Sequence, residues 1–569
     1  MGAKDWKFVG QYQEDELNEI ENRFGLPKPI AVFLAARGVK PDAVPAFLNP
    51  TLDHLSDPYR FPGMKDAAKR LWEAILRREA ILIHGDYDTD GITASALLAL
   101  VLRNNGAIVH SFIPHRFDDG YGFTPESLDK ALAAAPESKV LVTVDCGITS
   151  CDAVEKAVSL GIDVIITDHH EAGPERPRAV AVINPKIYPE LEDLHLLSGA
   201  GVAFKLAHAF VQYGCENNLG GFQTRLDEVL DYVALGTVAD IVPLLGENRI
   251  MVKYGIEILR KQLRPGIRAL IESSRLRGDL TPSDITFKLA PRINAAGRVG
   301  DANVALQLLE SENIVEAYRF AAELENYNRC RQDKEQEIYR EACEQINKKL
   351  AWQSDYALLV AGRDWHQGVI GIVASRLARD CNRPTIVLTI QGEEAYGSGR
   401  SVSNLNLVEV LAKASPLLER FGGHPMAVGI GLKADRIADF FEVMEAEIRR
   451  QLTVDQLKNY LPYDGELAIS DLTPDVFRHL GALAPFGHSN TKPVFRFNDV
   501  EFPRIHPAGE SHARGIVRDA SGQIEFIAFN RSPSALRGHR FDILATPQLN
   551  TRYNAESTQL NIIDLKEID

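Results

Sequence analysis

The sequence predicts an α/β protein in three parts: a parallel-sheet domain, a long helix leading to a second α/β domain, and a small all-β barrel at the C-terminal end. Three observations carry this prediction. Apolar runs of strand length alternate with helical stretches from about residue 79, the pattern of a parallel sheet covered on both faces. No Gly or Pro interrupts residues 301–361, and 312–350 reads as one highly charged helix. Beyond about 490 the runs shorten and alternate, as in Val494-Phe495-Arg496-Phe497.

Taken in order, residues 1–75 read as short helices broken by Pro27, Pro29, Pro41, Pro45 and Pro50. A catalytic-type α/β domain is assigned to 76–310, with strands at Ala80-Ile81-Leu82-Ile83, Lys139 to Val144 and Asp163 to Thr167. Sites in such sheets lie beyond the carboxyl ends of the strands. The connector helix is assigned to 311–350; a pair of surface helices is the competing reading. A second α/β domain covers 351–455, starting at Tyr356-Ala357-Leu358-Leu359-Val360, and the barrel covers 456–569.

With 45% hydrophobic and 25% charged residues, the composition is that of a folded globular protein. The net charge of −15, from 78 acidic and 63 basic side chains, argues against a basic shell gripping nucleic acid everywhere. It permits a local basic channel, because steering depends on where charges sit. The six cysteines form no C-x-x-C pair, and the N-terminus has no apolar signal core. Reduced thiols in a soluble, cytoplasmic protein are expected. The strongest apolar run, Ala94 to Leu102, is too short to span a membrane.

The strongest chemical signal is His84-Gly85-Asp86-Tyr87-Asp88-Thr89-Asp90-Gly91, between a strand and a helix. Three aspartates at alternate positions repel one another unless a cation neutralises them. Hard divalent cations such as Mg²⁺ or Mn²⁺ prefer these oxygen ligands. An EF-hand loop needs Glu at its twelfth position; here that position is Leu97. A solvated acidic turn is the other competing reading. The next two strands also end in ligand-type residues, Asp145 and Asp168-His169-His170. Alone, each Asp reads equally as a helix N-cap and the His pair as surface. A fourth acid, Asp240, lies inside the apolar stretch Ala234 to Pro243 and needs a partner if buried. Together these residues suit two divalent ions, which about 4 Å apart clamp an in-line displacement at phosphorus. No P-loop, complete G-x-G-x-x-G, H-E-x-x-H or G-x-S-x-G motif offers a rival.

Gly85 to Gly91, Val144-Asp145-Cys146-Gly147, Asp168-His169-His170 and Gly236-Thr237-Val238-Ala239-Asp240 resemble, in order, the four motifs of the DHH phosphoesterases. Further segments resemble the RecJ exonuclease branch: Ala290 to Arg298, Leu324 to Gln332, Trp365 to Arg376, Gly397-Ser398-Gly399-Arg400-Ser401, Gly422-Gly423-His424-Pro425 and Ala484-Pro485-Phe486-Gly487. The resemblance implies a parallel-sheet DHH domain joined by a long helix to an α/β DHHA1 domain, plus a C-terminal all-β OB-type barrel. It implies a metal-dependent 5′ to 3′ exonuclease on single-stranded DNA, using two Mn²⁺ or Mg²⁺ ions in repair and recombination.

By matching position, Asp90, Asp145, His169 and Asp240 would hold one ion. Asp88 and Asp145, with Asp86 or His84, would hold the second. His170 would face the scissile phosphate, with Asp168 orienting a ligand. Arg298, Asn294, Ser398, Arg400, Gly422, Gly423 and His424 are the substrate-binding candidates. Arg298 and Asn294 read equally as structural; a surface ion pair for Arg400 and a capped turn histidine for His424 are the competing readings. On the barrel, Phe486, Phe495, Arg504, Arg514 and Arg518 could meet single-stranded DNA, although either phenylalanine could be core; His506 and His512 have no assigned role. The family also implies a single-strand-binding protein and a RecQ-type helicase as partners. Two alternatives stand beside this reading: a phosphodiesterase for short RNA or cyclic dinucleotides, and a non-catalytic platform at replication forks. The platform would be expected to lack metal ligands, and all are present. A pyrophosphatase would not need 569 residues.

Overall fold

Five parallel strands form the first sheet, in the order Ile108–Phe112, Ala80–Gly85, Ser138–Val144, Asp163–Thr167, Ala181–Ile183. The computed structural model describes residues 5–10, 12–116, 122–348, 354–403, 405–509, 511–550 and 557–568. Every residue of Ala80–Gly85 is buried, which is why that run is apolar throughout and does not alternate. Ile81, Ile83, Val140, Val142 and Ile165 face the helices Thr89–Asn104, Gly199–Glu216 and Leu230–Ala239. Leu82, Leu141, Val164 and Ile166 face Pro125–Ala134 and Cys151–Ser159 on the other side. Three central strands end at Gly85, Val144 and Thr167, so Asp86, Asp145 and Asp168 leave the sheet at the same rim.

The connector is one unbroken helix, Ile314–Lys348, about 50 Å long at the usual rise. The paired-helix alternative therefore fails; the expected end at Leu350 lies outside the described residues. Ala317, Ala321 and Leu324 belong to the core of the first domain, and Ile338, Ala342 and Ile346 to a core shared with the second. A single rigid element thus sits in both cores and sets their spacing.

The second domain has a mixed sheet, Arg420–His424, Ala427–Lys433, Glu394–Arg400, Thr385–Gln391, Leu358–Arg363, parallel only at the last pair. The C-terminal strands Phe495–Pro507, Ala513–Arg518, Gln523–Ala528, Ser557–Ile568 and Arg540–Asn550 pair in that order. The last pairs back to the first, closing a five-stranded barrel. Phe495 is 1% exposed and fills the barrel core, leaving no face for a base. Among the described residues, no helix is long and apolar enough to cross a membrane.

The N-terminal segment is not helical throughout: Asp5–Phe8 is a strand paired in parallel with Tyr460–Tyr463. Its helices also share the barrel's core, with Ile30, Val32, Phe33 and Leu34 packed among Phe477, Phe497, Phe526 and Phe541. This explains the apolar helix Lys28–Ala36, which has almost no polar face to present to water. Arg37 pairs with buried Asp464 and reaches Thr491 Oγ1 at 2.8 Å.

Arg249 fastens this unit to the first domain. Its guanidinium donates to the carbonyls of Phe47, Ala482 and Leu483 at 2.8–3.2 Å and lies 4.0 Å from the Phe47 ring. Burial lowers its pKa to about 10. We predict that Arg249→Ala, which strips three buried carbonyls of their donor, costs about 3 kcal/mol. It should lower the first unfolding midpoint by about 5 °C, with Arg249→Lys intermediate. Thermal unfolding followed by circular dichroism checks this, and an unchanged midpoint would refute the fastening role.

Candidate metal centre

Each acidic group reaches the rim for a local reason. Asp88 caps the helix Thr89–Asn104, accepting from the backbone N–H groups of Asp90 and Gly91 at 2.9 and 3.2 Å. Asp90 lies in the first turn of that helix and accepts from Gly199 N at 2.6 Å and Ala200 N at 3.0 Å. These are the first N–H groups of the helix Gly199–Glu216, a ready anion site. Asp145 has φ 60°, a left-handed conformation that Asp tolerates better than most residues. Two glycines make room. A Cβ at Gly199 would lie 2.4 Å from Asp145 Oδ1, and one at Gly236 would lie 2.4 Å from Asp90 Oδ1. This is a physical reason for glycine at the start of the fourth motif.

The ligand atoms converge without bonding one another. Asp90, His169 and Asp240 offer atoms within 4.8 Å of one another, as do Asp86, Asp88 and Asp145. His169 Nε2 lies 3.1 Å from Asp145 Oδ1 and 3.6 Å from Asp240 Oδ2. Yet His169 Nε2, Asp145 Oδ1 and Asp86 Oδ1 are buried with no hydrogen-bond partner. Orphaned buried polar atoms are costly, and lone pairs aimed at a common point fit cations. Burial, then repulsion from Asp88, raises the pKa values of Asp86 and Asp90 to about 7. Burial, then Asp90, drives Asp145 well above the normal range. Asp240 rises to about 9 for the same two causes. Burial, then neighbouring His170, lowers His169 to about 3, keeping it the neutral imidazole a metal needs. The donor set, all oxygen with one imidazole, suits Mn²⁺ or Mg²⁺.

Several expectations are corrected. His84 is not among these groups: its Nε2 contacts Ser127 Oγ at 3.0 Å, and its ring packs beside Phe112 and Phe123. Its backbone continues the strand, so the side chain falls on the wrong face. Asp168 is a positioning residue. It accepts from the N–H groups of Ile148, His169 and His170, and from His170 Nδ1 at 2.8 Å. Burial opposes charge on His170, but this carboxylate outweighs it and raises the pKa to about 9. Asn294 spends its carbonyl oxygen on Thr89 N and Thr89 Oγ1, both at 2.8 Å, and so holds the first turn of the Asp88–Asp90 helix. Gly422 and Gly423 lie in the strand Arg420–His424 and Ser398 in the strand Glu394–Arg400.

Across the cleft the second domain presents Arg400 and His424, and Arg298 reaches toward them from the first domain's helix Ala290–Val299. His424 stacks over His170, with centroids 5.9 Å apart and planes 21° apart. Arg400 is held by Ser375 Oγ and Ser398 Oγ at 2.9 and 3.0 Å, and Arg298 reaches Gly368 O at 3.3 Å. Neither arginine has a carboxylate partner among the described residues, which removes the ion-pair reading of Arg400. Burial, then the charge of Arg116, lowers the pKa of both. Buried cations without counter-charge are a site for an anion. Arg116, 5.0 Å from the Tyr87 ring, was not anticipated; nor were the Gly199 and Ala200 amides, although Ser198-Gly199-Ala200-Gly201 is a recognisable helix start.

If like-charge repulsion dominates the centre, relieving it should stabilise the metal-free protein. We predict that Asp145→Asn, which keeps the left-handed backbone, raises the metal-free unfolding midpoint by about 2–4 °C. The same variant should lose the further rise that Mn²⁺ gives the wild type. Differential scanning fluorimetry with and without Mn²⁺ checks both halves; a variant still stabilised by Mn²⁺ would overturn the bridging position of Asp145.

Comparison with known proteins agrees with this geometry. Residues 80–237 match the DHH family N-terminal domain, 354–450 the DHHA1 domain and 463–564 the RecJ OB domain. The chain is 36% identical to the single-stranded-DNA-specific exonuclease RecJ of Bacillus subtilis over 97% of its length and 69% of that protein's. It is 37% identical to RecJ of Escherichia coli, covering 82% and 83% of the two chains. The crystal structure of RecJ from Thermus thermophilus in complex with Mn²⁺ superposes with a TM-score of 0.83 at 29% identity, over 99% of this chain and 80% of that one. On its domains, its near full-length identity and its fold, this chain belongs to the RecJ family.

Proposed function

We propose that this chain is a metal-dependent exonuclease specific for single-stranded DNA, acting in DNA repair and recombination. It would remove mononucleotides from the 5′ end. The observation that carries the reading is the set of orphaned candidate ligand atoms at the rim facing the guanidiniums of Arg298 and Arg400, which hydrogen-bond to neutral groups and have no carboxylate partner among the described residues. Such a cleft suits a polyanion with one phosphate over the carboxylates and another at the arginines.

Asp90, Asp145, His169 and Asp240 would hold one Mn²⁺ or Mg²⁺, and Asp86, Asp88 and Asp145 the second. When bound, the ions supply Lewis acidity at phosphorus and activate water. The remaining work falls to the chain. Asp168 fixes His170 through Nδ1, so Nε2 is the nitrogen left to donate to a phosphate or leaving oxygen. Ser375 and Ser398 aim Arg400, which can grip a terminal phosphate in a forked geometry; Arg298, Gly422, Gly423 and His424 line the same end. Asn294 supports the ligand helix from behind. A single-strand-binding protein and a RecQ-type helicase, as suppliers of the strand, rest on family membership alone.

A phosphodiesterase for short RNA or cyclic dinucleotides would have no use for a closed barrel beside the cleft. A non-catalytic platform would not keep every ligand.

The deciding experiment is digestion of 5′-labelled and 3′-labelled single-stranded DNA with Mn²⁺. The wild type should release the 5′ label at once as mononucleotide and shorten the 3′-labelled strand stepwise. Chelation should stop both and Mn²⁺ restore them, while Asp145→Ala loses at least about 10³-fold in rate. Persistence of DNA while short RNA or dinucleotides disappear would overturn the reading. A second series separates roles: Arg400→Ala should raise KM for 5′-phosphorylated DNA far more than for 5′-hydroxyl DNA. Equal effects on both would refute a terminal-phosphate site.

A further inference from the structure

A cavity of about 350 Å³ opens where the first domain meets the entrance to the barrel. Val238, Ile241 and Leu244 form one wall, Phe287 a second, and Phe486 with Lys492 the third. Two of these side chains are large, apolar and left in water: Phe287 is 74% exposed and Ile241 58%. Apolar groups exposed together mark a binding surface more often than chance. Their backbones are unusual as well. Ile241 has φ 61°, a conformation that β-branched residues rarely adopt. Phe287 is the centre of a wide π-type turn, Ile285–Leu289, a feature that gathers at functional sites. The walls are fixed: Leu244 N donates to His488 O at 3.0 Å, and a Cβ at Gly487 would lie 2.6 Å from Leu244 Cδ1.

Position identifies the occupant. Asp240 of the carboxylate cluster lies between two lining residues, Val238 and Ile241, in the chain, which puts the cavity next to the cluster along this segment. The helix Ala290–Val299 runs alongside. Phe287 precedes its start, Asn294 in its middle touches the ligand helix at Thr89, and Arg298 at its far end touches the second domain. Helical rise places Phe287 and Arg298 on the order of 16 Å apart, with Asn294, which touches the helix carrying Asp90, between them. A strand held by its terminal phosphate at Arg298 and Arg400, and cut over the carboxylates, therefore carries its uncut remainder to Phe287. Lys492, exposed and without a carboxylate partner among the described residues, suits the backbone of that remainder. An aromatic face with a nearby cation is how single strands are held regardless of sequence.

We propose that this cavity receives a nucleobase of the retained strand, stacked on Phe287, with Lys492 on the adjoining phosphate. The inference rests on the exonuclease reading above. It assigns the cavity a role in keeping hold of the strand between cuts, separate from cutting it.

The test is an abasic scan. Single-stranded oligomers, each lacking one base at a successive position, are titrated against the whole protein with Ca²⁺ replacing Mn²⁺, and then digested with Mn²⁺. One position downstream of the scissile phosphate should weaken binding about tenfold, the usual scale of one base–aromatic stack. Phe287→Ala should weaken intact DNA by a similar factor and abolish the penalty at that position, shorten each processive run, and cut a dinucleotide as fast as the wild type. A flat scan in the wild type, which needs no variant to fold, would overturn the proposal and leave a protein segment as the occupant. Equal loss on dinucleotide and long DNA by Phe287→Ala would overturn it too. Failure of the exonuclease reading is a different result, in which the wild type leaves every DNA intact with Mn²⁺.

Discussion

Two like charges about 4 Å apart near a protein surface repel by about 4 kcal/mol, and a folded domain has only about 5–15 kcal/mol to spend on everything. Five aspartates and two histidines nevertheless cluster at one rim in this chain. Much of the first domain can be understood as the apparatus that holds them there. Parallel strands deliver Asp86, Asp145 and Asp168 to one edge because all their carboxyl ends face the same way. A helix N-terminus neutralises part of Asp90, and Gly199 and Gly236 leave the volume that the carboxylates occupy. Protons or divalent ions must supply the rest.

The second domain answers the first in sign and in distance. Its arginine and histidine face the acidic rim, and the connector helix, rooted in both cores, keeps the gap from varying freely. This reconciles a net charge of −15 with a polyanionic substrate. Arg116, Arg298 and Arg400 are close enough to repel one another, and several of the acidic groups behind the net charge lie inside the centre itself.

The sheet, the connector, the second domain and the barrel were legible in the sequence because each imposes a period or a composition. The apolar runs ending in Asp, the Gly- and Pro-free stretch and the alternating C-terminal runs are direct traces of burial. The clustered acids were legible for the same reason, since acids at strand ends stand out against an apolar background. What sequence could not show is which way a side chain turns. His84 looks like a ligand until strand alternation sends it to Ser127, and Asn294 looks like a substrate contact until Thr89 occupies it. Pairings across hundreds of residues leave no local trace either. Nothing near Phe33 announces Phe497, and nothing near Arg116 announces Arg298.

One of those distant pairings governs how the chain can be made. Trp6 Nε1 donates to Asp564, 558 residues away, and the helix Lys28–Ala36 is covered by strands that begin at Phe495. During synthesis the amino-terminal helices emerge long before the strands that will cover them. A nascent chain paused anywhere between carries Ile30, Val32 and Phe33 uncovered, while the two α/β domains behind it can already close. The barrel strands, translated after both α/β domains, are therefore what cover this helix, and a ribosome that stops before them leaves two closed α/β domains attached to an adhesive apolar helix.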